Sequence, residues 1–385
     1  MLAYTFYEND NRVRRYAEAL VRRGDEVDAI VLGREGQVAK EVVCGVNVFR
    51  IQTRVLNEKG KIEYLFRLVR FFFKSAWTIT VMHLKNRYDV IHVHSVPDFE
   101  VFATAAPRLF GAKVILDIHD IVPEFYISKF RSSPSSVAFK LLLLVEKVSN
   151  SYADHVIIAN DLWYEKLVHR SVPSSKCSVI LNYPDLSIFR RSVESCPHET
   201  FTMCYPGTLN RHQGLDLVID AISSLKERKL PKFHVLIVGE GPERINLERA
   251  IEALSLGDHI TLKGAVPMES VAEILKSVDL GIVPKRADDF ANEAFSTKIL
   301  EFMAMDVPVL VSDTKIDQYY FKQWMVEFFQ AGNATDLAEK ISNLIQSPER
   351  LAELRAGGRE FIAENNWGKK AEEYFKLVDR LSNAS

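Results

Sequence analysis

The amino-acid sequence predicts an α/β protein of two doubly wound, Rossmann-like domains that face each other across a cleft. Short apolar runs alternate with longer amphipathic stretches along the chain, as parallel strands and crossover helices do. The 385 residues are enough for two hydrophobic cores. The alternation is interrupted at residues 184–200, which contain prolines and charges without a sustained period. We therefore expect an N-terminal domain at 1–183, a linker at 184–200 and a second domain at 201–366.

In the first domain, apolar runs bounded by polar residues predict strands at 2–6, 27–32, 48–51, 90–94, 113–118, 155–159 and 179–181. Amphipathic stretches predict helices at 12–23, 61–84, 99–109, 134–152 and 161–168.

The second domain repeats the pattern. Strands are predicted at 201–205, 233–238, 260–263, 280–284 and 307–311. Helices are predicted at 215–229, 243–254, 268–277, 299–305 and 369–381. Periodicity leaves open whether the last helix, within 367–385, closes the second domain or crosses back to the first.

Composition excludes several classes of protein. A hydrophobic fraction of 47% with 26% charged residues is typical of a folded globular chain, and the net charge of -2 gives no basis for nucleic-acid binding. The four cysteines form no C-x-x-C pair, so we expect reduced thiols, no metal and a cytoplasmic location. We find neither a secretory signal nor an apolar run of about 20 residues that could span a bilayer.

The segment EAFSTKILE at 293–301 is the most informative in the chain. Glu293 lies on the loop that enters a helix, and Glu301 lies about one turn inside it. Between them, Phe295, Ser296 and Thr297 offer backbone N–H groups at the helix N-terminus, where phosphate binds well. A carboxylate on each side of an anion site suits a sugar nucleotide, although two acids on a surface helix are the simpler interpretation.

Two glycine loops follow strands of the same domain. In YPGTLNRHQGLD, Gly207 permits a tight turn and Arg211 suits a diphosphate; in VGEGPE, Gly239 and Gly241 permit close approach. Plain strand-to-helix turns explain both loops as well. Lys298, an unfavourable cation at a helix start, either binds a diphosphate or reaches solvent.

The strand KVILDI of the first domain ends in HDIVPE, which places polar side chains at a strand's carboxyl end. His119 and Asp120 are the candidates there, with a satisfied structural histidine as the alternative. His92 and His94 share one strand face, and we interpret them as residues that line the core or the cleft rather than as metal ligands. Asp288 and Asp289 are interpreted as solvated charges.

The first strand-to-helix turn lacks a G-x-G-x-x-G motif, which argues against a dinucleotide site. Asn11 and Arg12 belong to its polar tip and are expected to face the cleft. Asn11 could instead cap the helix.

The helix predicted at 61–84 suggests contact with an anionic membrane surface. A helical wheel places Arg67, Arg70, Lys74 and Lys85 in one sector, with Phe71 and Trp77 at its edges. Opposite lie Ile62, Leu65, Val69, Phe73, Ala76 and Thr80. A helix packed on its sheet with a solvated basic face is the alternative.

Taken together, these motifs resemble the GT-B glycosyltransferases, specifically the retaining family 4 (group 1) type, over essentially the whole chain. The matching segments are DNRVRRYAEALVRRGDEV, YDVIHVHSVPDF, VILDIHDIVPE, VILNYPD, GTLNRHQGLDLVIDA, LIVGEGPE and EAFSTKILEFMAMDVPVL. The resemblance implies that Glu293 and Glu301 form the family's E-x7-E signature, with Glu293 at the donor sugar and Glu301 at the ribose hydroxyls. It also implies that His119 contacts the sugar from the other domain and that the C-terminal helix packs back onto the first domain.

Two positions depart from the family pattern. Thr208 and Gln213 stand where the family often carries an arginine and a lysine, so diphosphate neutralisation falls to Arg211, Lys298 or both. The family's Gly-Gly pair in the first loop is replaced by residues 8–11, which bears on the acceptor side of the cleft. The acceptor-side candidates are Asn11, Arg12 and Asp120.

The expected function is retaining transfer of a hexose from a nucleotide diphosphate sugar, with UDP favoured over GDP, to a lipid-linked or cell-surface glycan. Helix donors and cations stabilise the leaving diphosphate without a metal or cofactor, and its departing oxygen takes the acceptor's proton on the same face. A peripheral position on the inner face of the plasma membrane is expected. Two alternatives stay open: a soluble enzyme that glycosylates a small metabolite, and a non-catalytic sugar-nucleotide-binding module.

Overall fold

Two β-sheets, each covered by helices, organise the chain in a computed structural model that describes residues 1–54, 61–130, 133–190, 199–288 and 290–383. The contacts divide the chain into a first unit, Met1–Asn182 with Lys370–Ser385, and a second unit, Tyr183–Lys369. The α/β fold class with two doubly wound parallel sheets is confirmed. The predicted linker lies partly outside the described residues.

The first unit contains an eight-stranded sheet of order β3-β4-β2-β1-β5-β6-β7-β8, in which only β3 runs antiparallel to its neighbour. The strands are β1 (Leu2–Phe6), β2 (Asp28–Gly33), β3 (Lys40–Val43), β4 (Val46–Thr53), β5 (Val90–His94), β6 (Lys113–Ile118), β7 (His155–Ile158) and β8 (Cys177–Val179). The chain proceeds one way from β1 to β2 and the other way from β5 to β8. The carboxyl ends of β1 and β5 therefore form the switch point at which α/β sheets bind ligands.

Six helices connect these strands: α1 (Asn11–Arg23), α2 (Lys61–Asn86), α3 (Ala105–Leu109), α4 (Val122–Phe130), α5 (Val137–Tyr152) and α6 (Asp161–Arg170). A 3₁₀ segment, Asp98–Thr104, precedes α3. The predicted helix at 99–109 is thus two shorter elements. Strand β3 and helix α4 were not predicted, and β3 is a largely exposed edge strand without an apolar alternation to reveal it.

The second unit contains an all-parallel six-stranded sheet of order β11-β10-β9-β12-β13-β14. Its strands are β9 (Phe201–Pro206), β10 (Phe233–Val238), β11 (Ile260–Lys263), β12 (Leu280–Val283), β13 (Val309–Ser312) and β14 (Glu327–Phe329). Its helices are α7 (Leu215–Leu225), α8 (Arg244–Ala253), α9 (Met268–Leu275), α10 (Thr297–Ala304), α11 (Lys315–Tyr320), α12 (Ala334–Ile345) and α13 (Pro348–Glu364). Here the switch point lies between β9 and β12.

The last helix, α14 (Trp367–Ser382), belongs to the first unit from Lys370 onward. Arg23 of α1 binds it by an ion pair to Asp379 at 2.8 Å and lies over the ring of Phe375. Tyr374 is buried in the first unit against Tyr16, with ring centroids 4.4 Å apart.

Helix α2 packs with a different face from the one that the wheel predicted. Phe71, expected beside the basic sector, is buried, whereas Phe73, expected on the packed side, is 65% exposed. Lys74 donates a hydrogen bond to the carbonyl of Ile51, and Arg67 pairs with Glu63. The wheel failed because apolar residues occur around most of the helix, so the apolar arc does not specify which part meets the sheet.

The cap of helix α1 corrects one expectation about its first turn. Asp10, rather than Asn11, is the capping residue, and its carboxylate accepts hydrogen bonds from the backbone N–H groups of Arg12 and Val13. Asn11 is the first helical residue and is half-buried.

We predict that Asp10→Ala lowers the free energy of unfolding of the first unit by about 1 kcal/mol, because two helix N–H groups lose their acceptor. The melting temperature should fall by about 2–4 °C, as measured by calorimetry. Asn11→Ala is the matched control and should change it by less than half as much. An equal effect of the two substitutions would contradict the assignment of the cap.

Candidate active site

The two glycine loops of the second unit lie against each other, backbone to backbone. A Cβ on Gly239 would stand 1.8 Å from the carbonyl oxygen of Gly207, and one on Gly241 would stand 2.5 Å from that of Leu209. The backbone N–H of Leu209 donates to the carbonyl of Glu240 at 2.9 Å. Both Gly207 and Gly239 have positive φ, which favours glycine. The glycines are therefore explained by contact between loops, and their contact with a ligand stays a prediction.

The N-terminus of α10 offers unpaired donors. Ser296 occupies the cap position with extended backbone, yet its buried hydroxyl makes no capping bond. No acceptor among the described residues bonds the backbone N–H of Thr297 or Lys298. Phe295 packs its ring against Tyr320 at 5.0 Å, so its side chain fixes the loop. Two helix N–H groups thus remain for an anion.

Lys298 runs beneath the first glycine loop. A Cβ on Gly207 would stand 2.2 Å from its Cε, and its Nζ lies 5.2 Å from the ring centroid of Tyr205. Burial lowers the pKa of Lys298 to about 8, against the opposing charge of Glu301 and with a smaller contribution from Lys285. The ammonium is therefore partly dehydrated and close to the unpaired helix donors on its own first turn.

Arg211 has a different environment. It is exposed at the start of the short segment Arg211–Gln213, with no ion pair to a described residue. The next residue, His212, lies near Asp288, Lys298 and Lys285, and burial lowers its pKa. The sequence had not singled out His212.

Two further lysines that the sequence interpretation missed organise the Glu293 loop. Lys285 is buried, pairs with Asp317 at 2.9 Å and donates to the carbonyl of Ala294 at 2.8 Å. Lys315 lies 3.2 Å from a carboxylate oxygen of Glu293, which is itself largely buried. The position of Lys285 directly after β12, at a strand's carboxyl end, was a signal that could have identified it.

Glu301 lies in α10 and is half-buried; it interacts electrostatically with Lys298. Asp288 accepts hydrogen bonds from the backbone N–H groups of Phe290 and Ala291, so it caps a turn. Asp289 lies outside the described residues.

In the first unit, three histidines surround the buried carboxylate of Asp117. Its Oδ2 lies 3.3 Å from Nε2 of His119, 3.3 Å from Nδ1 of His94 and 3.6 Å from Nε2 of His92. Arg12 donates to both oxygens, from Nε at 2.8 Å and from Nη2 at 2.7 Å. The switch-point residues of β1, β5 and β6 therefore meet at one carboxylate.

The sequence predicted Arg12 only as part of the polar tip of the first strand-to-helix turn, whereas its side chain is held inside the first unit. The guanidinium is only 4% exposed and its charge is balanced by Asp117. Asp120 is half-buried, and burial raises its pKa against the opposing charges of His119 and Arg12. Glu124, also at this strand end, is bound by Arg170, which pairs with Glu146 as well. Acceptor-side roles for Asn11, Arg12 and Asp120 stay predictions.

His92, His94 and Asp117 lie close enough to suggest a metal site, but their geometry does not fit one. The two imidazoles are stacked, with centroids 4.1 Å apart and planes at 21°, so their in-plane lone pairs cannot converge on one ion. Arg12 also holds both carboxylate oxygens and would repel a cation. Metal independence of the reaction stays a prediction.

Comparison with known proteins identifies the family. The description "Glycosyl transferase 4-like domain" matches residues 10–182, and "Glycosyl transferases group 1" matches residues 189–361. The chain is a group 1 glycosyltransferase. Like others of this family it has the GT-B fold and is a transferase of the EC 2.4 kind.

The glycosyltransferase resembles several characterised proteins. It is 26% identical over 291 residues to a subunit of the human phosphatidylinositol N-acetylglucosaminyltransferase, a match covering 71% of this chain and 54% of the relative. The chain thus spans about half the length of that curated relative. Sucrose-phosphate synthase from Thermosynechococcus elongatus superposes with a TM-score of 0.80 at 21% identity, covering 100% of this chain and 99% of the other.

Anabaena HepE in complex with UDP-glucose superposes with a TM-score of 0.73 at 14% identity, covering 98% of each chain. At these identities, the structural matches establish the fold. In the described part of the glycosyltransferase, no helix has the length and apolar character needed to cross a bilayer.

The lowered pKa of the half-buried Lys298 should make donor binding depend on pH. Because its pKa is lowered to about 8, the charge is present at pH 7 and is lost as the pH rises through 8. We expect the KM for the nucleotide sugar to rise about tenfold between pH 7 and pH 9, because one charge-assisted contact to the donor is lost.

Lys298→Arg tests the cause, because a guanidinium stays charged over this range. Initial rates at several donor concentrations should show no rise in KM for this variant. A KM for the parent that stays constant from pH 7 to pH 9 would exclude Lys298 as a titrating donor contact.

Proposed function

We propose that this glycosyltransferase transfers a sugar, with retention, from a nucleotide diphosphate sugar to a hydroxyl group of a lipid-linked or cell-surface glycan. The observation that carries the proposal is the pair of helix N–H groups at Thr297 and Lys298 that no described residue bonds, on the same first turn as the half-buried side chain of Lys298. These groups together suit a diphosphate. UDP is favoured over GDP, and the UDP-glucose bound by HepE supports that choice.

Lys298 takes the place of the basic residue missing at Gln213. Its aliphatic stem occupies the space left by Gly207, and its ammonium, whose pKa is lowered to about 8 by burial, is a cation of the donor site. Arg211 is exposed and supplies a second, mobile charge as the diphosphate leaves. These two cations and the helix dipole stabilise the negative charge that develops on the leaving oxygen.

Glu293 contacts the donor sugar, and Glu301 accepts hydrogen bonds from the ribose hydroxyls. Glu293 is held by Lys315 at 3.2 Å and by a loop that Lys285 fixes through the carbonyl of Ala294. A carboxylate held in this way can accept a hydrogen bond from a sugar hydroxyl and remain ionised.

His119 contacts the same sugar, and Asn11 and Asp120 serve the acceptor. The departing phosphate oxygen takes the acceptor's proton as the new bond forms on the same face, which gives retention. Neither a metal ion nor a cofactor takes part, because cations and N–H donors of the chain bear the developing charge.

A lipid-linked acceptor is supported by an exposed apolar surface on the first unit. On α2, Phe66, Phe73, Trp77 and Leu84 point to solvent, with Arg70 and Lys85 also exposed. On α5, Val137, Leu141, Leu144 and Val148 are exposed, together with Lys140 and Lys147. Both helices pack on the segment Asp98–Thr104, so they lie on one face of the sheet.

Aromatic and aliphatic side chains interspersed with lysine and arginine suit the interface of an anionic membrane. We therefore place the enzyme peripherally on the cytoplasmic face of a membrane. The human relative, whose name includes phosphatidylinositol, supports a lipid-linked substrate.

The donor and the site residues are tested by nucleoside diphosphate release from a panel of UDP and GDP sugars. With the preferred donor, we expect Glu293→Ala and His119→Ala each to lower kcat by about 100-fold, since each loses a contact at the reacting sugar. Glu273→Ala on α9 and the exposed His234→Ala are matched controls and should retain the parent rate. Release from no donor, or parent rates in both site variants, would overturn the proposal.

Flotation with vesicles of equal parts phosphatidylcholine and phosphatidylglycerol tests the membrane surface. We expect the parent to float and the double variant Phe73→Ser, Trp77→Ser to bind at least about tenfold more weakly, because two exposed aromatic side chains are lost. The control is Tyr319→Ser, Trp324→Ser, which removes two exposed aromatics of the second unit. A parent that stays with the soluble fraction would favour glycosylation of a small soluble metabolite.

A further inference from the structure

His119 turns one particular ring nitrogen toward the interior. Its Nε2 lies 3.0 Å from Nδ1 of His94 and 3.3 Å from Oδ2 of Asp117. Its Nδ1 bonds to no described residue, and the side chain is 21% exposed. The two ring nitrogens of His119 are therefore not equivalent.

The charge of Asp117 decides which nitrogen carries the proton. Although burial opposes ionisation, Arg12 and then His119 hold the pKa of Asp117 well below its usual range. Burial and the adjacent His92 hold the pKa of His94 well below its usual range, so its ring is neutral. An ionised carboxylate only accepts hydrogen bonds, and both Nε2 of His119 and Nδ1 of His94 lie 3.3 Å from its Oδ2. These two nitrogens also share one hydrogen bond of 3.0 Å, so only one of them carries its proton. We place that proton on Nε2 of His119, from which it can be donated to Asp117 or to Nδ1 of His94.

We propose that Asp117 is a positioning residue that fixes His119 as the Nε2–H tautomer and so presents Nδ1 as a hydrogen-bond acceptor for a hydroxyl of the donor sugar. This inference rests on the proposed function for the identity of the ligand. The neutral imidazole has one donor and one acceptor, so fixing the proton on Nε2 leaves a lone pair on Nδ1. Without Asp117, both tautomers are accessible and only one of them accepts from a hydroxyl.

The positioning network continues to the last helix. His92 is stacked on His94, and its Nδ1 lies 2.9 Å from the hydroxyl of Tyr374 in α14. Tyr374 is 1% exposed and packs on Tyr16. Tyr374 thus holds His92 in place, and the stacked rings of His92 and His94 form one wall against His119. Through Tyr374, α14 therefore helps Asp117 to position His119.

Asp117→Asn tests the tautomer with almost no change of volume. Either orientation of the amide costs one bond from Arg12, but an NH2 group at the Oδ2 position faces a ring nitrogen of each of the three histidines and can donate to one that carries no proton. That orientation is favoured, and it donates to Nε2 of His119 and moves the ring proton to Nδ1. In ¹⁵N-labelled protein, we expect the nitrogen shifts of His119 to change from the Nε2–H to the Nδ1–H pattern.

For Asp117→Asn we expect kcat to fall by about 100-fold, while the KM for the donor changes by less than about threefold. The reason is that Nδ1–H of His119 then faces the sugar hydroxyl, so two donors meet where a hydrogen bond was made. Glu146→Gln is the matched control, since it weakens another buried arginine pair of the first unit, with Arg170, and neither of these two residues pairs with Asp117 or His119 in the described structure. It should lower the melting temperature to a similar extent and leave kcat within about twofold of the parent.

Tyr374→Phe tests the extension to α14 in a variant that keeps the ring packing. We expect kcat to fall by about threefold to tenfold while the melting temperature changes by less than about 3 °C, because only one hydrogen bond is lost. An unchanged kcat would remove Tyr374 from the positioning network.

The NMR measurement needs no substrate, so it separates the two proposals. Parental His119 in the Nδ1–H form, or Asp117→Asn with an unchanged tautomer and parental kcat, would overturn the role of Asp117. If the tautomer changes as expected but His119→Ala keeps parental kcat, the contact between His119 and the sugar is wrong and the positioning by Asp117 stands.

Discussion

A buried, ionised carboxylate imposes most of the organisation of the first unit. Asp117 has no exposed surface, and a charge removed from water must be compensated by donors of good geometry. Arg12 is drawn from the first turn of α1, and His92 and His94 from β5, to surround it. Three separate segments of the sequence are thus fixed at the switch point by a single electrostatic requirement, which also fixes the orientation of His119.

The second unit meets a different constraint at its own switch point, namely the space available to the backbone. The loops after β9 and β10 touch through glycines, so no side chain separates them, and Lys298 passes under the turn at Gly207. The result is a rigid platform below the N-terminus of α10. The loop carrying Glu293 precedes α10 and is fixed by Lys285, which pairs with Asp317 and donates to the carbonyl of Ala294. Charge and shape at the donor site are therefore set by backbone packing and ion pairs together.

Many of the regular elements could be predicted from the sequence, but not β3, α4 or the elements between Lys315 and Glu364. Strands such as β5 and β6 were predicted with their observed limits, because polar residues bound a short apolar run. The packed face of α2 was not predictable, since its apolar residues surround the helix and only tertiary contacts select Phe71 over Phe73. Lys285 and Lys315 were missed for a related reason. An ion pair between residues distant in sequence leaves no periodic signal.

The discontinuity of the first unit has a consequence during protein synthesis. Residues of α14 complete that unit, yet about half the chain is translated between Asn182 and Lys370. At translation rates of about 5–20 residues per second, roughly ten to forty seconds separate the two events. During that interval Tyr374 has not yet been made, so His92 lacks its hydroxyl partner and the apolar surface that α14 covers stays open to chaperones. The nascent first unit is therefore an incomplete intermediate until the residues of α14, which follow the whole second unit in the chain, have been made.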